Sequence, residues 1–253
     1  MTNHVRLKII DKLISFEEKY NIRIIGAVEA GSRTWEYDSP DSDYDVRFIY
    51  VRPVLDYLKV HPYDETITVK VDDIDFVGWD IRKLLQHLYK SNMTVFEWFN
   101  SSIIYCNSEE FQVLRDFSLD YFVAKRGIYH YLGIAFNEYK RLLNTNTDTA
   151  NAKQYLSILK ALFSAKHIKD FNTIPPVSFV ELMNENIDII DNVRPFLLAK
   201  RTGNTGILLD RVHIDTYIIE NLTQIKQYVD NLTDTHRNDW TKIDEFIEKY
   251  VMN

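Results

Sequence analysis

Between Val5 and Tyr20 the apolar residues Ile9, Leu13, Phe16 and Tyr20 recur at helical spacing with charged residues between them, which predicts an amphipathic helix. The period then drops to two: Ile22, Ile24 and Val28 alternate through Asn21–Val28 as a strand, and a second β-rich run follows from Val46 to Val51. Arg52-Pro53 ends that run, and Val54–Leu58 reads as a short helical or irregular crossing. Thr66–Val77 alternates through Ile67, Val69 and Val71 and reads as one further strand, with Asp73 and Asp75 on the same parity. Asp80 is placed to cap a helix from Ile81 to Tyr89, whose apolar side is Leu84, Leu85 and Leu88. Beyond about residue 105 the pattern is helical only, first over 108–121, 124–144 and 149–170. It continues over Phe179–Asn184, Asp188–Lys200, His213–Leu232 and Asp239–Tyr250. The expectation is an α+β chain: a sheet-bearing domain over 1–105, then an all-helical domain over 106–253.

Polar residues where those strands begin carry the chemistry. Gly26–Tyr50 reads G-A-V-E-A-G-S-R-T-W-E-Y-D-S-P-D-S-D-Y-D-V-R-F-I-Y, so Asp43 and Asp45 open the second strand. Residues two apart on a strand point the same way, roughly 6.5 to 7 Å apart. That separation lets both acids hold the same pair of hard cations. The first strand delivers Gly31-Ser32, where backbone approaches closely, and a short helix expected over Arg33–Tyr37 would turn free N–H groups toward a phosphate. Asp75 adds an acid where the alternation calls for an apolar residue. The competing readings are a solvated acidic turn for Asp38–Ser42 and its neighbours and a frayed strand end for Asp75. Asp41, in the turn, is read as capping or orienting rather than ligating.

Composition narrows the class without changing that picture. The 253 residues are 45% hydrophobic and 26% charged, near globular averages, with no apolar run long enough for a bilayer and no apolar leader region. A single cysteine, Cys106, excludes an internal disulfide, so a cytoplasmic location is expected. The net charge of −7 argues against broad coating of nucleic acid. His87, His130, His167 and His213 lack metal-ligand spacing, and T-G-N-T-G at 202–206 reads as a loop. Trp79 and Trp98 read as core, whereas Trp35, beside the Gly-Ser turn, is a candidate base-stacking ring.

G-S-R, S-P-D-S-D-Y-D-V-R-F-I-Y, I-D-F-V-G-W-D-I-R-K and F-E-W-F resemble the DNA polymerase β-like nucleotidyltransferase superfamily, and within it the RNA-repair, RNA-ligase-associated polymerase family. The match covers residues 26 to 100, with A-K-Q-Y-L-S-I-L-K-A as a weaker extension. The resemblance implies a polymerase β-like core and transfer of a nucleoside monophosphate from an NTP to a hydroxyl, with pyrophosphate leaving. It implies two Mg²⁺ ions, or Mn²⁺, on Asp43, Asp45 and Asp75, and phosphate contacts from Gly31, Ser32 and Arg33. It also implies that the helical domain closes over the nucleotide. Lys153, Ser157, Lys160, Ser164 and His167 form a polar stripe, from which Lys153 would meet the triphosphate and Lys160 the triphosphate or an RNA phosphate; a solvated face is the other reading. Glu36 stands where such sequences have glycine, so the turn after Ser32 is expected to end differently. Three classes stay open: addition of nucleotides to RNA, nucleotidylation of a protein or small molecule, and an inactive binding module.

Overall fold

The helical spacing near the N-terminus is realised as α1 (Asn3–Tyr20), and the two alternating runs as β1 (Arg23–Ala30) and β2 (Tyr44–Val51). Between them lies α2 (Gly31–Thr34), a four-residue turn that starts earlier and ends sooner than the helix expected over Arg33–Tyr37. The computed structural model describes residues 3–61, 63–144, 151–203, 211–236 and 239–251. Residues 149–150 of one expected helix and 204–206 of the expected loop lie outside that set.

The chain divides into two compact units. One comprises Met1–Thr34, Asp43–Tyr121 and Arg237–Asn253; the other comprises Trp35–Ser42 and Phe122–His236. The sheet-bearing unit therefore runs past residue 105, takes in the last helix, and lacks an eight-residue loop between α2 and β2.

Within the sheet-bearing unit, α3 (Val54–Tyr57) follows β2, and the run expected as one strand folds back on itself as β3 (Thr66–Val71) and β4 (Ile74–Asp80). Asp72 takes a left-handed φ of 52°, and Val71 pairs with Ile74 across a two-residue turn. Asp tolerates that conformation, which is how an Asp-Asp pair makes a hairpin out of an apparently continuous alternation. A short strand, β5 (Ile104–Asn107), completes the sheet across the point, about residue 105, after which no strand was expected. The order is β3-β4-β2-β1-β5, with β2 and β4 parallel and every other pairing antiparallel. One face is covered by α1: Ile9, Leu13 and Phe16 are buried with Val46, Phe48, Tyr50 and Phe76, and the Phe16 and Phe76 rings meet edge-on at 5.1 Å. The unit is completed by α4 (Ile81–Tyr89), α5 (Met93–Phe99) and α6 (Glu109–Ser118), with α12 (Thr241–Tyr250) as the last helix.

Asp80 caps α4 as expected: its Oδ1 accepts the Arg82 N–H at 2.9 Å, and its Oδ2 accepts the Tyr57 hydroxyl at 3.1 Å. The carboxyl is fully buried, and burial pushes its pKa up to about 6 despite those bonds and Arg52 at 3.8 Å. A carboxyl that holds its proton more tightly when folded stabilises fully below the unfolded value near 4, and that contribution is lost as pH rises through about 6. Asp80→Asn keeps the capping oxygen and removes the titration. Denaturant unfolding at pH 4 and pH 7.5 should show the variant gaining about 2 to 3 kcal/mol on the wild type between the two. A pH-independent difference would show that Asp80 does not titrate in this window.

The helical unit contains α7 (Ala124–Asn144), α8 (Ala152–Phe171), α9 (Phe179–Asn184), α10 (Ile190–Arg201) and α11 (Val212–Asp230). Pro195 lies within α10, which continues through it. The centre is α8, packed on the other four helices and buried nearly all round. The expected polar stripe is therefore broken: Lys153 is exposed, but Lys160 is only 6% exposed and Ser164 is fully buried. Among the described residues no helix is long and apolar enough to cross a membrane.

Candidate active site

The parallel pairing of β2 with β4 puts Asp45 opposite Asp75 in register, with Tyr44 opposite Ile74 on one side and Val46 opposite Phe76 on the other. Adjacent strands lie about 4.8 Å apart, so two carboxylates 30 residues apart in the chain become neighbours on one face. Asp43 sits just before β2 and is exposed, with Lys70 of β3 at 3.8 Å. Asp45 and Asp75 are half-buried, and the Arg47 guanidinium contacts both, at 2.9 Å from Asp45 Oδ1 and 3.3 Å from Asp75 Oδ2. Burial chiefly raises the Asp45 pKa; Arg47 opposes the shift, while Asp75 and Asp43 add to it.

Gly31 begins α2 with a φ of +67°, which disfavours any residue with a side chain. A Cβ at this position would stand 2.1 Å from Asp45 Oδ2, so the glycine turn and the carboxylate share one small space. Ser32 beside it is half-buried. The Arg33 Nε donates to the Asp43 carbonyl at 3.2 Å, and its guanidinium lies over the Tyr44 ring at 3.8 Å. Arg33 thereby ties the glycine turn to the backbone from which Asp43 projects.

Glu29 was not anticipated. Only 1% exposed, it accepts the Asp45 N–H through Oε1 at 2.9 Å and the Tyr105 hydroxyl through Oε2 at 2.5 Å. Burial raises its pKa, with those two hydrogen bonds opposing, and burial together with the Glu29 charge holds the Tyr105 hydroxyl protonated. Glu29 thus anchors the backbone of Asp45 from behind. In sequence it was one polar residue in a strand, and its partner Tyr105 lies 76 residues away.

The remaining expected residues belong to the helical unit. Lys160, expected at a phosphate, is turned inward there: its ammonium lies 4.7 Å from the Trp35 ring centroid and 5.8 Å from that of Tyr131. Trp35 is thus engaged as a cation–π partner, and its carbonyl accepts the Phe179 N–H at 3.0 Å. Glu36 takes a φ of +64°, the left-handed conformation that glycine favours. Its carboxylate accepts the Ser178 hydroxyl at 2.6 Å and its carbonyl accepts Arg201. These bonds hold a glycine-like turn with a glutamate in it. Lys200 donates to the hydroxyls of Ser39 at 3.0 Å and Ser42 at 3.2 Å, and Asp41 is exposed on that turn.

The model of the RNA repair pathway DNA polymerase beta family matches residues 5–249. The chain belongs to that family. An uncharacterized protein of Bacillus subtilis (strain 168), YcgL, is 32% identical over 231 residues, covering 89% of this chain and 87% of its own. A crystal structure of a nucleotidyltransferase-like protein from Exiguobacterium sibiricum 255-15 aligns over 87% of this chain and 76% of that one, with a TM-score of 0.39 at 12% identity. Membership in the polymerase beta family makes this a polymerase β-like nucleotidyltransferase whose α+β architecture is a mixed sheet with a helical C-terminal region. Among the described residues no three His, Cys, Asp or Glu side chains converge as a metal-holding group, and in this arrangement Arg47 spans Asp45 and Asp75.

Proposed function

We propose that the protein transfers a nucleoside monophosphate from an NTP to the terminal 3′ hydroxyl of an RNA, with Asp43, Asp45 and Asp75 holding two Mg²⁺ ions. The observation that carries this reading is the in-register pairing of Asp45 with Asp75, directly beside a glycine turn with no room for a side chain. The chemistry of the pair suits the ions: carboxylate oxygens alone suit hard divalent cations, and Asp45 and Asp75 already accept one positive charge, that of Arg47, with Asp43 just before them on the chain. When bound, the ions would neutralise triphosphate charge and acidify the attacking hydroxyl.

The chain's own residues have separate tasks. Gly31 and Ser32 receive the β- and γ-phosphates, with Arg33 adding positive charge beside them. Asp75 takes the proton of the 3′ hydroxyl as that oxygen bonds to the α-phosphorus; the bond to the α–β bridging oxygen breaks and pyrophosphate leaves. Glu29 keeps Asp45 in place through its backbone. Lys153, exposed on α8, is available to a phosphate, whereas Lys160 is assigned to packing under Trp35 and Tyr131.

A second acceptor class, a protein or small molecule, is favoured by the burial of Lys160, which removes a lysine expected on RNA, and by the net charge of −7. The test presents each α-labelled NTP with Mg²⁺ to RNAs ending in 3′ hydroxyl or 3′ phosphate and, separately, to a protein mixture. Label on the 3′-hydroxyl RNA alone supports the proposal. Label on protein transfers it to the second reading; no label on RNA or protein, with no NTP consumed in the presence of a small-molecule extract, leaves a binding module.

A further inference from the structure

Arg47 belongs to the same face of β2 as Asp45, two residues on, and its side chain is only 19% exposed. Its fork is engaged on both arms. Nη2 donates to Asp45 Oδ1 at 2.9 Å; Nη1 reaches Asp75 Oδ2 and the carbonyls of Val46 and Asp75, each at 3.3 Å. A guanidinium held at two carboxylates and two carbonyls is placed by geometry as well as charge, which a flexible surface pair is not. Arg47 is the cation that bridges these two half-buried acids paired in register, while Lys70, the partner of Asp75 on β3, reaches Asp43 instead. Arg47 takes one oxygen of each carboxylate, Asp45 Oδ1 and Asp75 Oδ2, so a divalent cation shared by the two acids must compete with the guanidinium for the space between them. Two cations at that distance also repel.

The geometry points to Arg47 as a built-in counter-ion that competes with divalent cations for Asp45 and Asp75, so that metal loads the site only as the guanidinium withdraws. This rests on the metal-site reading above. Arg47 is here a positioning residue: it keeps the metal-free carboxylates together and sets how tightly the ion is held. An incoming triphosphate supplies an alternative anion for the displaced guanidinium, which couples metal loading to nucleotide.

The test is a Mn²⁺ titration by calorimetry on the full chain without nucleotide, comparing wild type with Arg47→Met, which keeps the aliphatic stem, and Arg47→Lys, which keeps the charge but cannot span both acids. Arg47→Met should bind Mn²⁺ at least tenfold more tightly, with Arg47→Lys between it and the wild type. In chelator the melting temperature of Arg47→Met should fall, and Mn²⁺ should restore it. If Arg47→Met does not fold, the comparison of Arg47→Lys with wild type carries the same decision. Equal or weaker Mn²⁺ affinity in the variants, with clear binding by the wild type, overturns the competition and leaves the metal site standing. Binding by neither wild type nor variants removes the metal site and the competition with it.

Discussion

Asp45→Asn will abolish nucleotidyl transfer, lowering kcat/KM by at least about a thousandfold, or roughly 4 kcal/mol of transition-state stabilisation. Three features of the structure make Asp45 the most sensitive of the acids. It is in register with Asp75, it abuts Gly31, and its N–H is held by a buried glutamate. The substitution keeps the shape and removes the charge, and the charge is what a divalent cation requires. Fold and function separate cleanly here, because the folded environment already disfavours the Asp45 anion. The variant should keep its circular dichroism spectrum and unfold near the wild-type temperature. A variant that still transfers label at the wild-type rate would exclude the carboxylate from the chemistry.

Gly31→Ala should damage both stability and activity. A non-glycine residue at left-handed φ costs about 1 to 2 kcal/mol, and a methyl forced into filled space about 1 to 3 kcal/mol more. The methyl would meet Asp45 Oδ2 at 2.1 Å and its Cγ at 2.9 Å, so the carboxylate must leave its position. Urea unfolding should show a loss of about 2 to 5 kcal/mol. Transfer should stay low even where the variant is fully folded, since Asp45 no longer sits where Asp75 can share its ligand. Wild-type activity in a folded Ala variant would mean that Asp45 has room the structure does not show.

How much of this was legible in the sequence depended on how far apart the cooperating residues lie. Ile9, Leu13 and Phe16 announce α1, and Asp80 announces the start of α4, because helix periodicity and capping act within a few residues. The Asp43-Tyr44-Asp45 motif was legible for the same reason. The alternation through Thr66–Val77 was misread because period two survives a two-residue hairpin unchanged, and only the φ of Asp72 separates one long strand from two. Four residues, I-Y-C-N, are too few to announce an edge strand. Glu29 and Lys160 were beyond reach of pattern. A glutamate is read as exposed until Tyr105 closes over it, and the hydrophilic side of α8 looks solvated until Trp35 and Tyr131 cover Lys160. Glu36 was a visible departure, but the sequence could not reveal that it keeps the left-handed turn with help from Ser178 and Arg201.

The parallel pairing of β2 with β4 also bears on the order in which the molecule assembles. β1 with β2, and β3 with β4, are antiparallel partners close in sequence, so each ribbon closes a modest loop. Joining the ribbons edge to edge is the longer-range event, and it is this event that draws Asp45 up to Asp75. A chain in which only the two ribbons have formed therefore contains every strand that bears a carboxylate, yet has no site. The carboxylate pair comes into being with the seam between the ribbons, and Arg47, carried on one of the strands being joined, arrives with its charge as the two acids meet.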